Sequence, residues 1–551
     1  MATPIDRIAA IRDLVGTFVE AGFLTAMRPD KYLRVGLAVR REGMNTTSGI
    51  AMAAQRCPDR PALIDEIGAL TYRQLDGQCN ALAAALQAKL GGVPTVIGIM
   101  CRNHRGFVQS LAAANKIGAD ILLLNTSFAG PALAEVVGRE GVDLIIYDAE
   151  FSAAVDRAID HDADCQRLLA WYDTEPGPHG PATLEGMISA HLGQRPAATT
   201  RVGKLIMLTS GTTGNPKGAR RSGSGGGGAS DLKAILDRIP WRAEKSVVIV
   251  APMFHAWGFS QLVLALLMAC TVVTQRKFAP AATLELVDRH EATGLSVVPV
   301  MLDRIMGLPA EVLDSYSGRS LRFVAASGSR MRPDVVTAFM DRFGDVIYNN
   351  YNATEAGMIA LALPADLRRF PDTAGKPASG SELRILDDAY HDVPKGEVGQ
   401  IFVRNSSQFD GYTSGASKMF HEGFMASGDI GYIDDSGLLF VVGRDDEMIV
   451  SGGENVYPIE VEKTLGAHHD VVEAAVIGVD DQQYGQRLAA FVVLRENATT
   501  SAAALKAHIR ENLANYKVPR TIAVLDELPR NSTGKILRQN LRARVEALGP
   551  L

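Results

Sequence analysis

Apolar residues recur along this chain in two rhythms. Short continuous runs at 62–65, 96–100, 121–125, 144–147, 247–250, 295–298 and 321–325 have the length and composition of buried strands. Between and around them, 50–55, 71–90, 106–116 and 131–140 repeat apolar residues at helical spacing. Strands apolar on both sides, alternating with amphipathic helices, predict an α/β fold with a mostly parallel sheet covered on both faces. From residue 457 onward the rhythm changes: 459–465, 472–479, 488–493, 502–513 and 521–524 alternate helix and short strand, as in a small α+β unit.

Two apolar stretches need separate treatment. The window 256–273 is the most apolar, but Ser260 and Gln261 interrupt it and its length is marginal for a bilayer span. It reads as a buried helix running into a strand. At the N-terminus, Ile8, Ile11, Leu14, Val15, Phe18 and Val19 line one face of a helix. Docking on its own domain is the weightier reading, with peripheral membrane contact or homodimer packing as the others. Asp6, Arg7, Arg12 and Asp13 break any secretory signal.

Composition narrows the class. With 551 residues, 47% hydrophobic and 21% charged, the chain has the make-up of a globular protein with a large core. A net charge of −6 argues against a nucleic-acid partner. Cys57, Cys79, Cys101, Cys165 and Cys270 are scattered, without a Cys-x-x-Cys, which favours free thiols in a reducing cytoplasm. His468, His469 and Asp470 read as a polar turn rather than a metal site, for want of a further ligand nearby.

The chemistry concentrates where the apolar run 205–208 gives way to Thr209-Ser210-Gly211-Thr212-Thr213-Gly214-Asn215-Pro216-Lys217-Gly218. Glycines let main-chain N–H groups approach an anion, the hydroxyls add donors, and Lys217 adds a mobile charge. This is equipment for a polyphosphate, but not of the Walker type. Just beyond, Gly223, Gly225 and Gly228 formally match a dinucleotide fingerprint. That reading is rejected because 217–221 does not read as a strand and no acidic residue ends the run 247–250.

Six further motifs follow in order. Met253-Phe254-His255-Ala256-Trp257-Gly258 succeeds a strand, and Ser327 and Gly328 lie at a strand's carboxyl end, where open α/β sheets bind ligands. Then come Asn349-Asn350-Tyr351-Asn352-Ala353-Thr354-Glu355, Ser427-Gly428-Asp429-Ile430-Gly431, and the stretch from Gly443 to Asn455 containing Arg444, Asp446, Gly452 and Gly453. Near the end stands Ser532-Thr533-Gly534-Lys535. This series resembles the adenylate-forming superfamily of acyl-CoA synthetases, peptide-synthetase adenylation domains and luciferases, over roughly residues 46–545. It looks most like the fatty-acid–CoA ligases of actinobacterial type. Where the superfamily usually has glycine, this chain has Asn352.

The resemblance implies a large N-terminal domain of α/β-layered subdomains (46–443) behind an extension (1–45), and a small mobile α+β C-terminal domain (444–551). It implies ATP-dependent activation of a carboxylic acid to an acyl-adenylate and then to acyl-CoA, with Mg²⁺ on Glu355. Thr209, Ser210, Gly211, Thr212, Thr213, Gly214 and Lys217 would hold phosphates. Ser327, Gly328, Asn350, Tyr351, Asn352, Asp429 and Arg444 would complete the ATP site, with Thr354, Glu355 and Lys535 catalytic. His255, Trp257 and Gly258 would line the acyl pocket, Asp446 would be the hinge, and Gly452 and Gly453 would border the CoA channel. The expected substrate is a medium- or long-chain fatty acid. The alternatives are an aromatic or sterol side-chain acid, or a fatty acyl-AMP ligase delivering to a carrier protein.

Overall fold

A computed structural model describes residues 4–91, 95–128, 130–159, 165–177, 180–209, 217–221, 228–406, 408–409, 411–412, 417–447, 449–451, 454–481, 485–531 and 534–547. The chain divides into two compact units. The first comprises Met1–Asp372, Ala378–Ser381 and Asn405–Ser417, and the second the remainder.

Two sheets build the first unit. One runs in the order Gly357–Ala362, Ile347–Ala353, Phe323–Ala326, Gly294–Val297, Ser246–Ile249, Thr271–Val273, Pro61–Asp65, Gly68–Thr71. Of the pairings among these strands, Gly357–Ala362 with Ile347–Ala353 and Pro61–Asp65 with Gly68–Thr71 are antiparallel and the others parallel. The other runs Gln166–Trp171, Leu144–Asp148, Val96–Met100, Asp120–Leu123, Leu205–Thr209, Lys217–Arg221, parallel except for the last pair.

The pleat sends alternate residues to opposite faces. Ile97, Ile99, Ile121, Leu123, Leu144 and Ile146 of one sheet share a single core with Val247, Ile249, Val272, Phe323 and Ala325 of the other. The intervening side chains, such as Leu122, Ile145 and Tyr147 or Val248, Val273 and Val324, enter two separate outer cores. Burial on both faces is why these strands read as unbroken apolar runs. The helices Tyr72–Leu90 and Arg105–Ile117 contribute Leu75, Leu82, Phe107 and Leu111 to the shared core. Thr71 and Gln74 form a reciprocal capping box that starts the first of these helices.

The N-terminal helices Pro4–Glu20 and Pro29–Glu42 dock on this unit. Phe18 and Ala21 join the shared core. Arg56 donates to the carbonyls of Gly22 and Phe23, and buried Lys116 pairs with Glu42 at 2.7 Å and Asp76 at 3.1 Å.

One sequence expectation is corrected here. Lys217–Arg221 is a strand, antiparallel to Leu205–Thr209. Pairing uses the backbone and asks for no apolar side chain, and a charged sequence suits the edge of a sheet. The dinucleotide reading gains nothing from it: that fingerprint follows a strand of a parallel βαβ unit, and this strand is half of a hairpin. Residues 222–227 lie outside the described residues.

The second unit holds an antiparallel sheet of Glu382–Leu386, Gly399–Arg404, Phe424–Ile433 and Phe420–His421, with Leu439–Arg444 also on 424–433. Its other sheet joins Glu454–Val456, Ile449–Ser451, Gly485–Leu494, Val471–Asp481 and Thr521–Val524. Helices Pro458–Gly466, Ala502–Asn512 and Arg538–Ala547 cover it through two small cores. A third histidine stands beside the 468–470 turn: the His508 ring packs on His468 with centroids 5.2 Å apart. His508 Nε2 lies 3.0 Å from the Thr464 carbonyl and His468 Nδ1 accepts from the Asp470 N–H, so both rings are engaged in local structure.

Candidate active site

The strands 205–209 and 217–221 form a hairpin in which Thr209 and Lys217 are opposite partners. Ser210, Gly211, Thr212, Thr213 and Gly214 lie outside the described residues, as do Gly452 and Gly453 and the side chains of Thr209, Lys217 and Asp446.

At the carboxyl ends of the parallel strands the structure gathers several expected residues. Ser327 is buried directly after Phe323–Ala326, and Gly328 turns with φ +107, a conformation that favours glycine. On the neighbouring strand, the buried Asn350 amide donates to the Tyr348 carbonyl at 3.2 Å and faces Ala326 O at 3.5 Å. A register shift between Tyr351 and Asn352 bends the strand end. Asn352 is where the sequence departs from the expected glycine, and its Oδ1 is buried without a hydrogen-bond partner. An orphaned buried acceptor costs roughly 1–3 kcal/mol. A ligand N–H, such as the exocyclic amine of adenine, would remove that cost, so this end of the sheet fits ATP.

Thr354 and Glu355 occupy the turn between Ile347–Ala353 and Gly357–Ala362. The Glu355 carbonyl accepts the Phe409 N–H at 2.8 Å, and its carboxylate Oε1 accepts the Tyr412 hydroxyl at 2.6 Å. Among the described residues no cation pairs with Glu355. A single hard carboxylate suits Mg²⁺, which is bound through one or two carboxylates, substrate phosphates and retained waters. Tyr412 was missed in the sequence: it lies 57 residues beyond Glu355, too far for any local pattern to link them.

His255 precedes the helix Ala256–Leu267 and stacks obliquely on Phe254, centroids 4.4 Å apart. Burial pushes its imidazole down to about 4, so it is neutral at physiological pH. Trp257 donates its indole N–H to the Val297 carbonyl at 2.9 Å, which fixes the ring. Gly258 serves close packing: a Cβ there would come within 2.3 Å of the Pro252 carbonyl oxygen.

In the second unit Asp429 and Arg444 face each other across paired strands, with Arg444 Nη1 3.2 Å from Asp429 Oδ1. The Asp429 N–H donates to Ser427 Oγ, which fixes the turn before the carboxylate. Asp446 falls in the short 3₁₀ turn Asp445–Glu447. Lys535 is exposed on a tight turn: its N–H donates to Asn531 Oδ1 at 2.9 Å, the Asn531 N–H returns to the Lys535 carbonyl at 2.9 Å, and Gly534 takes φ +78. Three residues on, Arg538 joins Glu447 at 3.2 Å and Glu462 at 3.0 Å.

Comparison with known proteins shows the family. The AMP-binding enzyme family matches residues 50–413, and the AMP-binding enzyme C-terminal domain matches residues 460–535. The chain is 32% identical over 486 residues to the indoleacetate–CoA ligase of Aromatoleum aromaticum, covering 86% of this chain and 93% of that one. It is 31% identical over 494 residues to the 2-succinylbenzoate–CoA ligase of Geobacillus kaustophilus, covering 88% and 95%. In three dimensions it is similar to the o-succinylbenzoate CoA synthetase of Bacillus subtilis in complex with its acyl-adenylate intermediate: TM-score 0.75, 28% identity, 90% of this chain and 97% of that one. The chain belongs to the AMP-binding enzyme family, with the adenylate-forming fold of a large N-terminal and a small C-terminal domain.

Proposed function

We propose that this acid–thiol ligase, which activates a carboxylate with ATP and passes it through an acyl-adenylate to CoA, takes an acid with an aromatic or other flat cyclic body. The observation that carries the reading is the Trp257 ring, fixed by its indole N–H on the Val297 carbonyl, with the Phe254–His255 ring stack two to three residues before it and the His255 imidazole kept neutral by burial. Rigid aromatic faces suit a flat ring better than a flexible chain. The relatives named for indoleacetate and 2-succinylbenzoate, acids built on aromatic rings, support it.

A carboxylate is a poor acyl donor because its oxygen leaves badly. In the first step a carboxylate oxygen attacks the α-phosphorus of ATP, the bond to the β-phosphate oxygen breaks, and pyrophosphate departs. Negative charge gathers on phosphoryl oxygens, so catalysis is alignment and charge neutralisation rather than proton transfer. Lys535 supplies one positive charge and the hairpin loop with Lys217 holds the departing phosphates. Mg²⁺ held by Glu355 would neutralise phosphate charge. Asp429 accepts hydrogen bonds from the ribose hydroxyls and Arg444 contacts ribose or phosphate. In the second step the CoA thiolate attacks the acyl carbon along a channel bordered by Gly452 and Gly453, and AMP leaves. Asp446 is the hinge between the two arrangements, which divides the catalytic body 46–443 from the mobile domain 444–551.

Five free cysteines suit a reducing compartment, and we infer that the enzyme acts in the cytoplasm. Among the described residues no helix is long and apolar enough to cross a membrane. The N-terminal helices expose Val15, Val19, Leu33 and Leu37, the side chains that would carry a membrane or homodimer contact.

The test is a mass-spectrometric product assay with ATP, Mg²⁺ and acids from acetate through fatty acids to aromatic and polycyclic ones, each with and without CoA. Aromatic or cyclic acyl-CoA, lost in Lys535→Ala, is the expected result. Turnover confined to medium- or long-chain fatty acids would overturn the substrate class. Acyl-AMP that persists unchanged after CoA is added would make the enzyme a carrier-protein ligase instead.

A further inference from the structure

We propose that Tyr412 is a positioning residue for the carboxylate of Glu355, presenting it to the divalent cation that accompanies ATP. The inference rests on the reading of Glu355 as the cation's ligand and deepens it.

Glu355 is held at both ends by one segment. Its carbonyl accepts the Phe409 N–H at 2.8 Å and its Oε1 accepts the Tyr412 hydroxyl at 2.6 Å. The segment is itself tied to the same turn, since the Asn405 amide donates to the Ala356 carbonyl at 2.8 Å. The ring of buried Phe409 packs edge-on against Tyr412, centroids 4.9 Å apart and planes at 70°. The hydroxyl is therefore delivered by a packed ring rather than a free side chain.

The chemistry of the donor matters. A lysine or arginine on this carboxylate would hold it equally well but would cancel its charge and compete with an incoming cation. A phenol fixes one oxygen with a short O–H···O⁻ bond and leaves the negative charge in place. It also settles the rotamer of a side chain that would otherwise lose conformational freedom when the cation binds. Groups that orient a ligating side chain in this way change metal affinity about 10–100-fold when removed.

The test is Tyr412→Phe, which deletes the hydroxyl and keeps the ring on Phe409. ATP binding is measured by calorimetry, without acid substrate, across a Mg²⁺ titration and again in EDTA. The expected result is an approximately ten-fold higher Mg²⁺ requirement, with unchanged affinity for Mg²⁺-free ATP and an unchanged melting temperature. In a Glu355→Gln background the same substitution should add nothing. A Mg²⁺ requirement equal to the unmutated protein's would overturn the proposal, as would equal loss of Mg²⁺-free ATP affinity or an additive effect in the double variant. If the unmutated protein binds ATP with no Mg²⁺ dependence, the reading of Glu355 fails, and this proposal with it.

Discussion

His255 ties function to stability through a single proton. Its pKa falls from the ordinary 6.5 to about 4 because burial penalises the imidazolium. In the unfolded chain the ring takes up a proton as pH drops below about 6.5, whereas in the folded chain it does not until about 4. The stability its neutral form provides is therefore complete above the unfolded value and is lost progressively as pH falls toward the folded one. A shift of this size corresponds to about 3 kcal/mol at most. Urea unfolding at pH 7 and pH 5 should show a loss that His255→Phe reduces, while the rate of adenylation stays flat above pH 6. Asn352 makes a second prediction at this scale. Its orphaned Oδ1 asks for an exocyclic N–H, where adenine has an amine and hypoxanthine an acceptor oxygen. Asn352→Gly should narrow the preference for ATP over ITP by about ten-fold, in line with 1–3 kcal/mol for one unpaired buried acceptor. Equal ATP:ITP ratios in the two proteins would show that the atom does not read the base.

Among the elements, the start of the helix Arg105–Ile117 shows how buried polar groups that look like a metal site serve structure instead. Cys101, His104 and Asp148 cluster in the interior. His104 Nδ1 accepts the Gly106 N–H and so caps the helix, and its other nitrogen meets Asp148 at 2.8 Å. The second Asp148 oxygen accepts the Arg102 N–H, and the Cys101 thiol points at the Ile146 carbonyl. His104→Ala should cost about 3 kcal/mol in urea unfolding, since it removes a cap and leaves a buried carboxylate short of a partner. Added zinc should shift the melting temperature of neither protein. The elements also differ in how legible they were. Runs such as 96–100 and 144–147 announced themselves because both faces are buried, and the six motifs appear in the order the resemblance requires. Lys217–Arg221 escaped because an edge strand is defined by backbone pairing, and Ile347–Ala353 because its asparagines break the apolar pattern. Glu355 was readable from its motif, yet its partner Tyr412 was not, because their contact exists only after folding. Acyl specificity was the least legible feature: the fatty-acid expectation had only overall resemblance behind it, whereas Trp257 gains its meaning from a hydrogen bond to a strand forty residues on.

For the whole molecule, the two half-reactions make opposite demands on one lysine. In the mechanism we propose, adenylation would need Lys535 beside the phosphates, and thioester formation would need that space for the pantetheine thiol. The exposed, tightly built turn around Lys535 is suited to carrying a charge into a site and out again as a rigid piece, because Asn531 grips it from both sides. Arg538 adds a mechanical link: it binds Glu447, at the end of the 3₁₀ turn containing Asp446, and Glu462 on the following helix, so the proposed rotation at the turn would move the lysine with it. A proline at 446 fixes φ near −65°, within the range of a 3₁₀ turn, and denies the residue other backbone conformations. Asp446→Pro should thus leave pyrophosphate release in a single turnover close to the unmutated rate and slow acyl-CoA formation at least ten-fold, as expected where a hinge absorbs the backbone change between steps. Quenched-flow measurement of the two products from one reaction separates the steps. An equal loss in both would mean that the chain does not turn at Asp446, and the alternation of Lys535 would then need another pivot.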